Sequence, residues 1–378
     1  MIIVSLKSGL GNTMFQYAVF LQLNRMYPKE EIYLDTLYYD FTGYKLELDR
    51  VFRIDIDSVD FKKKAIQDER TESYISEELE KLRFWKEFGY KSFVEYEKND
   101  PRHNPQLSFE ELPQIYKNLG YGIRIINSLN VNIAEQINNM RNISISESIL
   151  SRRKRLTINQ KIIEYAKLWV KTLYYEDRRK RFLECIKTGH KFDYINLPRI
   201  DRFNGIEGNT YLNTYGSPFD LVGIENEIRD TFVFSEPEDD TNKSLIKELR
   251  MRESVAIHAR VTDFEYGMNS LLEREYYKKA VRYVKRKSKG SLSYYIFSDD
   301  IEWCRNNLMS LGITQDSPVR FIDHNKGEQS YRDMQLMQNC KYIVCPNSTF
   351  SWWAGYLNSS KDKIVVTPIG TWPGTVSF

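Results

Sequence analysis

The stretch Ser254–Asp263 reads SVAIHARVTD. Its first half, Ser254–Ile257, is the short β-branched and apolar run of a buried strand. Polar side chains follow at once: His258, Arg260, Thr262 and Asp263. A strand ending this way delivers them to the carboxyl edge of its sheet, where open α/β sheets bind ligands. Taken alone, the stretch fits equally well a core strand running into an ordinary charged turn. Its neighbours decide.

Downstream the pattern alternates. A helix over Arg274–Lys287, with Tyr277, Val281 and Val284 in register, leads to a strand Ser293–Phe297 that ends in Asp299-Asp300. A helix Ile301–Leu311 follows, then a strand Val319–Ile322, a helix Tyr331–Asn339 and a strand Tyr342–Cys345. After Asn347-Ser348-Thr349 come a helix Phe350–Leu357 and a last strand, Lys363–Val366. Repeated βα units predict a parallel, doubly wound sheet.

Upstream, Ile2–Leu6 is an apolar strand, Ser8-Gly9-Leu10-Gly11-Asn12 a glycine turn, and Met14–Met26 a helix. That is the opening unit of a second Rossmann-like domain, although the glycines do not follow the dinucleotide pattern GxGxxG. Asn12 and the free N–H groups of the turn would face a ligand across the strand ends; the glycines also suit the turn geometry alone. Ile32–Leu34 with Asp35 reads as the next strand. Residues 60–200 are more polar and less regular, with a solvated helix over Ser76–Lys86 and a loop Asn99–Pro105. An amphipathic helix at 158–173 is flanked by basic clusters at 152–155 and 178–181. SEPEDDTN, residues 235–242, is the boundary, giving domains 1–236, with an insert at about 60–200, and 237–378.

With 378 residues the chain exceeds what one core usually organises. Its 55 basic and 52 acidic residues nearly cancel, which argues against a dedicated nucleic-acid binder. Four cysteines (Cys185, Cys304, Cys340, Cys345) show no metal spacing and read as buried thiols of a reducing compartment. With neither a signal-peptide pattern nor a 20-residue apolar run, the expectation is a cytoplasmic protein.

In a parallel sheet His258/Arg260/Asp263, Asp299/Asp300 and Asn347/Ser348/Thr349 share one edge. Arginine grips phosphate bidentately, a helix start favours anions, and a carboxylate accepts from the N–H edge of guanine. Ser and Thr before a helix are also ordinary caps, and Asp after a strand an ordinary turn residue. The residues by themselves reach a phosphorylated small molecule.

The motifs go further. SGLGNTMFQYA, HARVTD, FSDDIEWC and NSTFSWWAGYL, in that order, resemble the bacterial α-1,2-fucosyltransferases of glycosyltransferase family eleven. The resemblance covers both ends and the second domain and leaves residues 60–200 largely unmatched. It implies a GT-B-like fold: two Rossmann-like domains with parallel doubly wound sheets and a cleft between them. It implies inverting transfer of L-fucose from GDP-β-L-fucose, without a metal or other cofactor, to galactose O2 of a glycan, in surface-glycan or O-antigen synthesis. The glycan would include lipid-linked forms, with membrane contact no more than peripheral, at the inner face of the plasma membrane. Carried over, Arg260 matches the arginine that neutralises the diphosphate, with His258 beside it. Asp263 matches the closing acid, which would orient Arg260 or the acceptor; it is also the candidate base, the alternative being a dissociative path without one. Ser348 and Thr349, flanked by Asn347 and Phe350, would reach the phosphates. Asp299, with Asp300, would read guanine, and Gly9, Gly11 and Asn12 would face the cleft.

Three departures from the family pattern, Val261 for a second arginine, Thr13 for a glutamine and Gly216-Ser217-Pro218 for an aromatic-Gln-Ser-Glu segment, leave open a transferase of different linkage or nucleotide-sugar specificity. Three other readings compete. Asp55-Ile56-Asp57 would serve a metal-dependent GT-A transferase, or be an alternating edge strand. Val261 motivates a non-catalytic GDP-sugar-binding protein. The basic clusters motivate an RNA binder.

Overall fold

A computed structural model describes residues 1–91, 93, 95, 96, 111–127, 209–214, 218–221, 223–261, 270–346, 348–367 and 376–377. Asp263, Asn347, Cys185, the 158–173 helix, its basic flanks and Gly216-Ser217 lie outside the described residues.

Strand β1 (Ile2–Ser5) lies between β2 (Ile32–Asp35) and β4 (Asn209–Asn213), with β3 (Ile123–Asn127) outside β4. Every pairing in this sheet is parallel. The second sheet is also wholly parallel. Its strands are β5 (Glu253–Ala259), β6 (Leu292–Ser298), β7 (Val319–Ile322), β8 (Tyr342–Val344), β9 (Ile364–Thr367) and β10 (Val376–Ser377), in the order β10-β9-β8-β5-β6-β7. The two doubly wound parallel sheets expected from the βα alternation are both present.

The α-helices of the first part are α1 (Leu10–Met26), α2 (Leu37–Thr42), α3 (Leu48–Phe52), α4 (Phe61–Ala65), α5 (Glu69–Lys81) and α6 (Leu112–Asn118). Those of the second are α7 (Glu225–Thr231), α8 (Asp240–Met251), α9 (Ser270–Lys287), α10 (Ile301–Asn306), α11 (Tyr331–Met337) and α12 (Thr349–Leu357). Where these differ from expectation the reason is local. Helix α1 begins at Leu10, so the glycine turn is its first turn and Gly9 its cap. The run 301–311 divides at Asn307 into α10 and a 3-10 turn, Leu308–Leu311, closed by Gly312 at φ 79. The charged 76–86 segment divides likewise, into the end of α5 and a 3-10 turn at Phe84–Phe88. Asp55-Ile56-Asp57 is not a strand. Asp55 accepts from the Ser58 N–H at 3.2 Å, Asp57 opens a 3-10 turn and pairs with Lys63, and neither is arranged as a pair.

Period-two alternation sorts the second sheet's side chains. Val255, Ile257 and Ala259 enter a core with Tyr277 and Val281 of α9, while Ala256 faces the opposite core with Leu245 of α8, Leu336 of α11 and Trp353 of α12. That second core continues without a break into Ile2, Val4 and Leu6 of β1 and Met14 and Phe15 of α1. Phe15 packs against both tryptophans of α12, with ring centroids 4.8 Å and 4.6 Å away. The two sheets therefore share one apolar body. A third core, on the far face of the first sheet, gathers Ile3, Leu37, Phe61, Tyr116 and Tyr211.

Candidate nucleotide-sugar site

Helices α1 and α12 each start just beyond the carboxyl end of a strand, β1 and β8, and their first turns touch. The Trp353 indole donates to the Gly11 carbonyl at 2.9 Å, and the Thr349 hydroxyl donates to Asn12 Oδ1 at 3.0 Å. A Cβ on Gly11 would lie 2.6 Å from Thr349 Oγ1 and 2.7 Å from the Phe350 nitrogen. Only glycine permits that approach. At Gly9 a Cβ would meet nothing within 4 Å, so this residue leaves open space beside the turn. Ser8, immediately before it, holds a left-handed backbone at φ 70. Its hydroxyl accepts from Asn12 Nδ2 at 3.0 Å and its carbonyl from the Tyr39 hydroxyl at 3.0 Å.

The end of β5 reaches the same place. His258 and Arg260 follow Ala256 by twos and so project to the α12 side of the sheet, where the His258 ring lies 6.0 Å from that of Phe350. Burial, then the neighbouring Arg260, push the His258 imidazole down to about 3, so it is neutral at physiological pH. Its Nδ1 is buried without a hydrogen-bond partner among the described residues. A neutral ring next to a fixed guanidinium suits an anionic ligand, to which Arg260 brings charge and His258 a hydrogen bond.

The structure brings His258, Arg260, Ser348, Thr349, Phe350, Gly11 and Asn12 to one junction, with Gly9 at its open side. Two of the polar residues expected to face a ligand bond each other there, since Asn12 and Thr349 form the contact between the helices. Ser348 is buried at the α12 cap position and makes no side-chain cap bond. The two aspartates of β6 have separate local partners. Asp299 accepts the Val261 N–H at 2.8 Å, tying the end of β5 to that of β6, and Asp300 caps α10 through the Trp303 N–H at 2.9 Å. Val261 itself packs in the α9 core. An arginine there would carry its charge among Val255, Tyr277 and Ile296, so a valine suits this chain's packing.

Sequence reasoning missed a polar group at the same edge. Helices α8 and α11 both begin there, and Asn242, Asn325 and Asp333 join them: Asn325 Nδ2 donates to Asp333 Oδ1 at 2.8 Å, and Asn242 Nδ2 to Asn325 Oδ1 at 2.8 Å. Burial pushes the Asp333 carboxyl up to about 7, against the pull of the Asn325 bond. The signal was an aspartate in the first turn of a helix that follows a strand, which reads as dipole compensation.

Two parallel sheets joined at the starts of two helices, with an arginine and a neutral histidine at the junction, place the chain in the Rossmann-like α/β class, whose members bind ligands along this edge. Residues 208–374 match the model of glycosyl transferase family 11. The family resemblance read from the motifs is borne out there. An alpha-1,2-colitosyltransferase of Escherichia coli is 34% identical over 131 residues, 33% of this chain and 43% of that protein. The O-antigen biosynthesis glycosyltransferase WbnK of Escherichia coli is 38% identical over 101 residues, 26% and 31% of the two chains. Galactoside 2-alpha-L-fucosyltransferase SEC1 of Bos taurus is 30% identical over 108 residues, 27% and 28%. The chain spans less than half the length of these curated relatives. A crystal structure of the fucosyltransferase NodZ from Bradyrhizobium superposes with a TM-score of 0.38 at 12% identity, over 94% of this chain and 92% of that one, too distant to argue from.

Proposed function

We propose that the chain transfers L-fucose from GDP-β-L-fucose to a glycan hydroxyl, galactose O2, with inversion at the anomeric carbon. The observation that carries this reading is the contact of His258 with Phe350, which brings the β5 end to the start of α12 inside the family-matched segment. The diphosphate would lie along the first turn of α12, with Arg260 against it. GDP leaves with growing negative charge while the sugar becomes oxocarbenium-like, so a fixed guanidinium and helix start act most strongly in the transition state. Asp299, with Asp300, is kept as the carboxylate for the guanine edge, and Asp333 joins them as a further candidate at the starts of α8 and α11; each of the three has a local partner. Asp263 is kept as the candidate base. The acceptor is a galactose-containing glycan, lipid-linked forms included, and the chain works in the cytoplasm or at the inner face of the plasma membrane. Among the described residues no helix is long and apolar enough to cross a membrane.

The test is incubation with GDP-fucose and a panel of galactosides, followed by determination of the product linkage. Because one relative is a colitosyltransferase, GDP-colitose is included as a second donor. Transfer of colitose but not fucose would move the reading to that sugar and leave the site assignment standing.

A further inference from the structure

Lys7 has no part in the site just described, yet the chain runs from it straight into the glycine turn. It follows β1 by two residues and precedes Gly9 by two. Its side chain is 4% exposed, and its ammonium donates to Asn213 Oδ1 at the end of β4. Its backbone N–H donates at 2.9 Å to Oε1 of Gln16. The Gln16 side chain is itself fully buried, and its Nε2 has no hydrogen-bond partner among the described residues. Holding a lysine away from water is costly, and burial pushes this ammonium down to about 8.

The junction that the turn leads into is already positive. The starts of α1 and α12 meet at Gly11 and Phe350, and each helix end carries roughly half a positive charge. Arg260 adds a full one. Like ends brought together repel unless an anion lies at the junction, and a buried lysine on the segment leading into it would deepen that field in a low dielectric.

We propose that Lys7 is a positioning residue of the donor site: its buried ammonium, bonded to Asn213 at the end of β4 and carried by the segment that leads into the glycine turn, adds to the positive field in which the nucleoside diphosphate binds. The proposal rests on the GDP-sugar reading. It requires that binding and protonation of Lys7 favour each other, because an arriving diphosphate favours the charged amine. The other titratable groups at this edge are distinguishable. Asp35, Tyr116 and Tyr211 bond one another, and Asp60 bonds Thr36. Among the described residues His258, facing the junction from β5, and Asp333, whose carboxyl burial raises to about 7, could also change protonation as GDP binds, and comparison with a Lys7 variant separates both from Lys7.

The experiment is calorimetry of GDP binding at pH 8, in two buffers of different ionisation enthalpy, on the wild type, Lys7→Gln and Lys7→Arg. Glutamine keeps a donor for Asn213 and does not titrate; arginine keeps the charge at every pH. For a shift of about one unit, the wild type takes up about 0.4 proton at pH 8 and loses affinity about threefold between pH 7 and 8.5, below the range in which guanine itself ionises. Lys7→Gln is expected to show neither effect, and Lys7→Arg to hold its affinity at pH 8.5. Equal proton uptake in the wild type and Lys7→Gln, or none in either, overturns the proposal and leaves the GDP-sugar reading intact. Failure of the wild type to bind GDP at any pH overturns both.

Discussion

Arg260 is the side chain on which the proposed chemistry depends. Arg260→Ala is expected to lower turnover by about a hundredfold, the loss of roughly 3 kcal/mol of transition-state stabilisation, with an unchanged melting temperature; turnover assays beside thermal melting decide it. Asp333 tests the same site through stability. Its carboxyl is raised from 3.8 to about 7, so its contribution to stability is full below pH 4 and is lost as pH rises through 7. Asp333→Asn should therefore melt above the wild type at pH 7, converge with it near pH 4, and bind GDP more weakly. A melting series from pH 4 to 8 with and without GDP reads both effects. Arg260 and His258 were legible in the sequence because a strand that ends in polar residues has few other places to put them. Asp333 was not, because nothing in a helix's first turn tells a buried carboxylate from a solvated one. Its partner Asn325 is in turn bonded by Asn242 of α8, a separate stretch of chain.

Two glycines only two residues apart differ in what they do for their helix. A Cβ on Gly11 would collide with backbone atoms of α12, whereas one on Gly9 would enter open space. Gly11→Ala is expected to destabilise the protein by about 1–3 kcal/mol through overpacking, and Gly9→Ala to leave the melting temperature unchanged. Any loss of GDP-fucose turnover in Gly9→Ala would then report a ligand at that surface, to be measured as a change in KM. Asp300→Ala should cost about 1 kcal/mol of stability by uncapping α10, measured by thermal melting. The alternation of strand and helix was plain from residue 254 onward because a parallel sheet buried on both faces writes itself as short apolar runs. Element ends were less plain. The helix proved to begin inside the glycine turn, at Leu10, with Gly9 extended as its cap, and propensity alone says only that glycine permits a turn.

At the scale of the molecule, the sequence showed two sheets but not their union. The joint is made by Phe15, Trp352, Trp353 and Phe232, which come from three distant segments. Each one's local context marks it only as apolar. A shared core makes the two sheets one cooperative unit, so the described parts should melt together, with intrinsic fluorescence and far-ultraviolet dichroism giving coincident transitions. It also fixes the β5 end against the start of α12 before any ligand arrives, the preorganisation that charge stabilisation in a transfer reaction needs. Whether that junction performs the reaction is decided most directly by incubating the protein with GDP-β-L-fucose and a galactoside panel and solving the linkage of the product by NMR. The expected product carries fucose α-linked to galactose O2, with Arg260→Ala forming it about a hundredfold more slowly. Absence of transfer from either GDP-fucose or GDP-colitose to every acceptor, by a protein that binds GDP, would contradict it and leave a nucleotide-sugar-binding protein in its place.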